Sequence, residues 1–431
     1  MTLLVGTVFG VLLIAQIVLP RKYAFLPLIL AAAHMGDAEM LPQITPARGL
    51  ILIGLMRAFA SGYFKGFKRT KLDSLMALFS VIALASSVGH EPDIYFPSPV
   101  LARLGLVFNV VGAYAYGRAY LPDLGAFVRY ATLLPILLIP LAFGMSSEQA
   151  TRVNVYYPLG ARSPESLLRE GKIRASGPFD HPILAGTCGA TVLPFAYLLY
   201  RRNQRGLAVV AVITCMTIVL CTASSGPLAA VAISILAIFL WKWRTRLRNL
   251  GYGALAFGLV YWVVKGRGPW FLMASLDLVG GSTGWHRARL IDQSFVFLDE
   301  WWLWGSDYTR HWMSSGTRWN PNVVDMTNYY LHLGVTGGIG LSIILICFIG
   351  ASFNMLGRRM QQMREVGSDN EIVLWCAGVA LAAHAMSFVS ISYFDQMYVF
   401  FYILVGSVPG LVATDSEEEL LLSDEAELQS A

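Results

Sequence analysis

The sequence predicts an all-α polytopic membrane protein, with about 12–13 transmembrane helices and a large outer loop carrying short helices. Three observations carry that expectation. Hydrophobic residues make up 56% of the 431-residue chain, and the mean hydropathy is +0.57. Only 14% of residues are charged, against roughly a quarter in ordinary soluble domains. Long uncharged apolar stretches recur all the way to the C-terminus. This composition excludes a soluble globular enzyme, a disordered chain and a nucleic-acid-binding domain, and it makes the lipid bilayer the first partner.

A spanning helix needs about 20 mostly apolar residues. Such stretches lie near 2–20, 23–37, 47–61, 72–89, 98–118 and 124–144, then 182–200, 206–223, 226–242 and 249–265, and finally 327–354, 372–391 and 394–412. Those at 23–37 and 47–61 are short for the task. The first stretch ends at Arg21-Lys22 without a small-residue cleavage pattern, so it reads as an anchor, not a removed leader. The five cysteines, Cys188, Cys215, Cys221, Cys347 and Cys376, all fall in apolar runs and read as small buried hydrophobes.

Basic clusters stay on the cytoplasmic side. They occur at Lys65–Lys71, Arg201–Arg205, Lys242–Arg248 and Arg358–Arg364. Residues 206–241 contain no charged side chain, yet both flanks are basic, so this stretch has to cross twice. The tip of that hairpin falls at Ser224-Ser225-Gly226-Pro227, where Pro227 suits the first turn of the returning helix. The same counting places the N-terminus outside. It places the tail from Asp415 to Glu427, with seven acids and no base, in the cytoplasm as a solvated end.

The segments 145–181 and 266–326 then become outer loops, 1–144, 182–265 and 327–412 become the helical blocks, and 413–431 the acidic tail. Both loops are rich in aromatic and apolar residues, which argues for folded structure. Both also carry arginine against the positive-inside trend: Arg152, Arg162, Arg169 and Arg174 in one, Arg267, Arg287, Arg289, Arg310 and Arg318 in the other. Guanidinium forks suit phosphate oxygens, although acids in the same loops, such as Glu165 and Asp292, offer internal partners. Seven of the eleven tryptophans lie between Trp270 and Trp319, Trp302 and Trp304 among them. They fit an interfacial belt, a sugar platform, or both.

Two short motifs concentrate polar chemistry. In Arg174-Ala-Ser-Gly-Pro-Phe-Asp-His181-Pro182, the Gly-Pro pair forces a turn and His181-Pro182 opens the next helix, so Arg174 and His181 lie near a helix N-terminus that favours an anion. In Trp285-His286-Arg287-Ala-Arg289-Leu290, helical spacing puts Arg287 with Leu290 on one face, and His286 with Arg289 on the next. A helix lying on the membrane explains that pattern as well. Asp325, Thr327 and Asn328 open the late apolar run. His34 and His384 lie in or near spans and read as satisfied core histidines.

At these residues the chain resembles the O-antigen ligase and O-antigen polymerase superfamily of bacterial inner-membrane proteins. The matching pieces are RASGPFDHPILAG at 174–186, TASSGPLAA at 222–230, STGWHRARLID at 282–292, EWWLWGS at 300–306 and DMTNYYLHLGVTGGIG at 325–340. The resemblance implies a plasma-membrane glycosyltransferase of polysaccharide biosynthesis. It would take a glycan from undecaprenyl pyrophosphate to an acceptor glycan, with no metal or cofactor, alongside other polysaccharide assembly proteins. It implies that Arg174 and Arg287 contact the pyrophosphate, with Asp325 favoured as general base over His286, His311 and His332. Their position in these motifs makes His181, His286, Arg289, Trp302, Trp304 and Asn328 the candidate residues around the substrate. Thr327 stands where ligases of the family carry a His, and Ser225 where an Arg is common, which directs the resemblance toward an exopolysaccharide polymerase ahead of a ligase proper. A transporter or flippase of a polysaccharide export system is the alternative of another class. Transporters tend to show internal repeats, and none stands out here.

Overall fold

The protein is described by a computed structural model covering residues 3–37, 44–92, 97–275, 284–314, 316–317 and 320–413. Arg318, Trp319 and the acidic tail lie outside the described residues, as does the first part of the 282–292 motif. The fold is all-α with one short β-hairpin. Its helices are α1 (Leu3–Val18), α2 (Leu26–His34), α3 (Pro46–Ala60), α4 (Lys71–Gly89), α5 (Pro99–Tyr120) and α6 (Leu124–Thr151). After the hairpin come α7 (Pro182–Arg201), α8 (Arg205–Cys221), α9 (Ser225–Arg246), α10 (Leu247–Lys265) and α11 (Gly284–Val296). The chain ends with α12 (Tyr329–Gly337), α13 (Ile339–Glu365), α14 (Glu371–Ser387) and α15 (Met397–Val412).

Six of these helices (α4, α5, α6, α7, α9 and α13) are long and apolar enough to cross a membrane, and α1, α8, α14 and α15 are shorter apolar helices. At 1.5 Å per residue, the nine residues of α2 reach only about 14 Å. The short stretch at 23–37 therefore does not form a full-length span.

The centre of the bundle is α15, buried from Met397 to Leu411. Glycine explains how it sits so close to α5. A β-carbon on Gly406 would lie 2.2 Å from the Tyr114 carbonyl oxygen, and one on Gly117 would lie 2.5 Å from that of Ile403. Small residues at such crossings let helix backbones touch. The first half of α7 is also enclosed on every face, from Pro182 to Val192, and it packs among α8, α9 and α14. By contrast, among its described side chains α10 has no buried residue. Leu255, Phe257, Val263 and Val264 are open along it.

Three local features differ from the sequence expectation. Helix α6 continues to Thr151, so the outer segment expected from 145 starts later. That segment holds the antiparallel pair β1 (Leu167–Arg169) and β2 (Lys172–Arg174). The run expected as one span at 327–354 is broken at Gly338, whose φ is 87° and ψ 162°. All five cysteines are free; Cys188, Cys215 and Cys376 are buried as expected, whereas Cys347 lies on the outward face of α13.

Candidate functional site

The hairpin between α8 and α9 turns where expected. Ala223 takes a left-handed conformation (φ 42°), and Ser224 precedes the first turn of α9. The end of β2 docks on this tip. The amide of Ala175 donates to the Cys221 carbonyl at 3.0 Å. The Arg174 side chain, only 5% exposed, donates from Nε to the Thr222 carbonyl at 3.2 Å and from a terminal nitrogen to Ser224 Oγ at 2.6 Å. These bonds use neutral oxygens and leave the charge uncompensated. Burial, then Arg169, lowers the pKa of Arg174, while Glu170 opposes them.

The next residues are anchored by Glu148 of α6. Its fully buried carboxylate accepts from the Ser176 amide at 3.0 Å, the Gly177 amide at 2.8 Å and Ser166 Oγ at 3.0 Å. Gly177 sits at φ 56°, a conformation that glycine adopts without strain. The sequence reading did not single out Glu148. It lies in the last, polar turn of α6, where the sequence offers no distinctive signal. Beyond the turn, the amide of Asp180 donates to fully buried Asp395 at 3.1 Å, and Gln396 donates to the Pro178 carbonyl at 3.1 Å, so the turn is held from both sides.

His181 caps α7, its Nδ1 accepting from the Ile183 amide at 3.1 Å. Burial first, and then Arg174, Arg287, Arg169 and Arg162, push its pKa down to about 4. His181 is therefore neutral at pH 7. Four guanidinium groups from two outer segments bear on this one imidazole, so both segments deliver positive charge to the N-terminus of α7.

Arg287 arrives from α11. Of its helix face, Leu290 is fully buried, whereas His286 and Arg289 on the neighbouring face are half-buried, as the spacing predicts. Arg287 is 7% exposed, and among the described residues its buried Nε has no hydrogen-bond partner and no acid forms an ion pair with it. Burial, with Arg169 and Arg174, brings its pKa down to about 10, and Asp325 pulls the other way. Asp325 itself stays open to solvent on one side. Crowding on the other raises its pKa, against the lowering influence of His286 and Arg287.

Arg174, His181, Arg287, His286 and Asp325 thus act on one another electrostatically. The other expected site residues have different posts. Asn328 is buried and caps α12, accepting from the Leu331 amide at 3.1 Å. Arg289 pairs with Asp292 at 3.3 Å. Trp302 and Trp304 keep exposed rings, but their carbonyls accept from the Ile339 amide and from His90, both at 2.9 Å, on the edge near α4 and α13. Trp301 and Trp312 instead form the small core of the outer loop with Leu290 and Val324. His311 bonds Glu300 at 2.8 Å. His34 bonds the Leu137 carbonyl and His384 the Tyr393 hydroxyl, each at 2.8 Å, as satisfied core histidines. Thr327 Oγ1 is buried without a partner among the described residues.

These residues gather buried positive charge at the N-terminus of α7, at one end of the helical bundle. No family model, curated protein or solved structure matches the chain.

Proposed function

We propose that the chain is a membrane glycosyltransferase that polymerises, or transfers, a glycan carried on undecaprenyl pyrophosphate at the outer face of a bacterial plasma membrane. Polymerase is the first reading and ligase the second. The observation that carries the proposal is the buried guanidinium of Arg287, with no acid paired to it among the described residues, beside Arg174 and the N-terminus of α7. An unpaired buried cation is costly, and a diphosphate entering there would relieve that cost.

In this reading Arg174 and Arg287 bind the pyrophosphate and stabilise the charge that develops as it leaves. Guanidinium stays protonated, so neither is the base. The acceptor hydroxyl attacks the anomeric carbon, its proton passes to the Asp325 carboxylate, and the bond from that carbon to the pyrophosphate oxygen breaks. Neutral His181 shapes the pocket without adding charge. The reading includes about twelve spans and a cytoplasmic acidic tail.

The test is reconstitution with lipid-linked oligosaccharide and inspection of the glycan product. Arg174→Ala and Arg287→Ala each abolish chain extension while the protein still inserts. Polymer of normal length from either variant would remove the charge-stabilisation mechanism. Export of intact oligosaccharide without a new glycosidic bond would point to a transporter instead.

A further inference from the structure

A second basic site lies at the far end of the bundle. Helix α7 starts beside the pocket at His181 and ends at Arg201, and its 20 residues span about 30 Å. Around that end the C-terminal parts of α7, α9 and α13 meet the start of α14. They enclose a cleft of about 290 Å³ lined by Arg201, Trp241, Arg244, Arg364, Asp369 and Glu371, among others.

The charges in this cleft do not balance. Arg244 and Arg364 both bond the same Glu371 oxygen, the former at 2.9 Å. Among the described residues, Arg201 donates only to the Tyr197 hydroxyl, at 3.2 Å. Even with Asp369 counted, three cations face two acids. Neighbouring Arg202 spends a donor on the neutral Asn370 amide at 2.8 Å. The cations are also held in place. The guanidinium groups of Arg244 and Arg201 lie 4.0 and 5.5 Å from the centroid of one Trp241 ring, a stacking that fixes their planes. Trp241 is in turn steadied edge-on by Trp375 at 5.5 Å. Along α9, which carries the cleft residues Trp241 and Arg244, Leu236, Phe239 and Trp243 are exposed. A phosphate in the cleft would therefore have an apolar track for attached acyl chains.

We propose that this cleft binds the phosphodiester headgroup of an anionic phospholipid of the leaflet opposite the Arg174 pocket, with its chains along α9. Basic pockets between helices at the cytoplasmic level commonly serve such lipids. The site is independent of the glycan-transfer reading.

The test titrates the purified full-length protein in detergent with phosphatidylglycerol or phosphatidylcholine and reads bound lipid by native mass spectrometry. Phosphatidylglycerol binds in preference to phosphatidylcholine. Arg201→Gln, which disturbs no ion pair seen among the described residues, weakens phosphatidylglycerol about fivefold. The double variant Arg201→Gln/Arg364→Gln, which keeps the Arg244–Glu371 pair, weakens it at least about tenfold. An unchanged elution profile and helical circular dichroism show that both variants fold. Equal binding of the two lipids, or undiminished phosphatidylglycerol in the double variant, overturns the proposal. Competition by inorganic phosphate as effective as that of the lipid overturns the assignment to a lipid.

Discussion

Arg287 shows at single-residue scale how a site can be built against stability. Its folded-state pKa, about 10, lies below the ordinary 12.5. The charged form is thus disfavoured by folding, and that cost persists at every pH below about 10. Arg287→Met should therefore raise the thermal stability of the ligand-free protein, by roughly 1–3 kcal/mol, while abolishing product. A lower unfolding temperature in detergent would mean that the guanidinium has a structural partner. Asp325 gives the pH prediction. Its pKa is raised, and it is the base only when ionised, so activity should rise with pH along a limb above the ordinary carboxylate range and be lost in Asp325→Asn. His181, held at about 4, should contribute no inflection between pH 5 and 8, and a rate profile with a second inflection near 6.5 would contradict its neutral, capping role.

At the scale of elements, the segment from β2 to α7 is positioned by partners distant in sequence. Glu148→Gln replaces one acceptor oxygen by a donor facing the amides of Ser176 and Gly177. It should cost about 1–3 kcal/mol and lower product formation by weakening donor binding, visible as a raised KM. A change in kcat alone would argue against a positioning role. Gly338 is the second such point. Its backbone is in a region reserved for glycine, and a β-carbon there would lie 2.1 Å from the Leu303 carbonyl oxygen. Gly338→Ala should destabilise the junction between the outer loop and α13, read as earlier proteolysis of the 298–338 region. The sequence made the helices legible because apolar runs are long and uninterrupted. The turns at Gly177-Pro178 and Ser224–Pro227 were legible because glycine and proline punctuate them. The β-hairpin was missed although its Glu170-Gly171 turn is a local signal. Glu148 and the break at Gly338 were not legible, since their roles are set by contacts with the distant residues Ser176, Gly177 and Leu303. The same holds for the separation of Trp301 and Trp312, buried in the loop core, from Trp302 and Trp304: adjacent letters gave no sign of opposite fates.

For the whole molecule, the arrangement of helix ends makes a topology prediction. The N-termini of α7 and α9 gather at the arginine pocket, and their C-termini at the Trp241 cleft. If the pocket faces outward, a cysteine placed at exposed Ser314, in a Cys347→Ser background, reacts with a membrane-impermeant thiol reagent in whole cells whose outer membrane, if present, is permeabilised. Labelling only after lysis would invert the orientation.

The docking of Arg174 onto Thr222 and Ser224, across some fifty positions of sequence, also imposes an order on biosynthesis. In the proposed orientation, a nascent chain that has threaded Arg174 across the membrane must leave it hydrated until the α8–α9 hairpin arrives behind it. Arg287 reaches the pocket only later, once the chain beyond α10 has been exported. A ribosome-stalled chain ending after Lys265 would thus already seat its first guanidinium yet grip a diphosphate weakly. Competence for the donor would be acquired late in synthesis, and the central helix α15, whose preceding residues Asp395 and Gln396 brace the turn before α7, arrives later still.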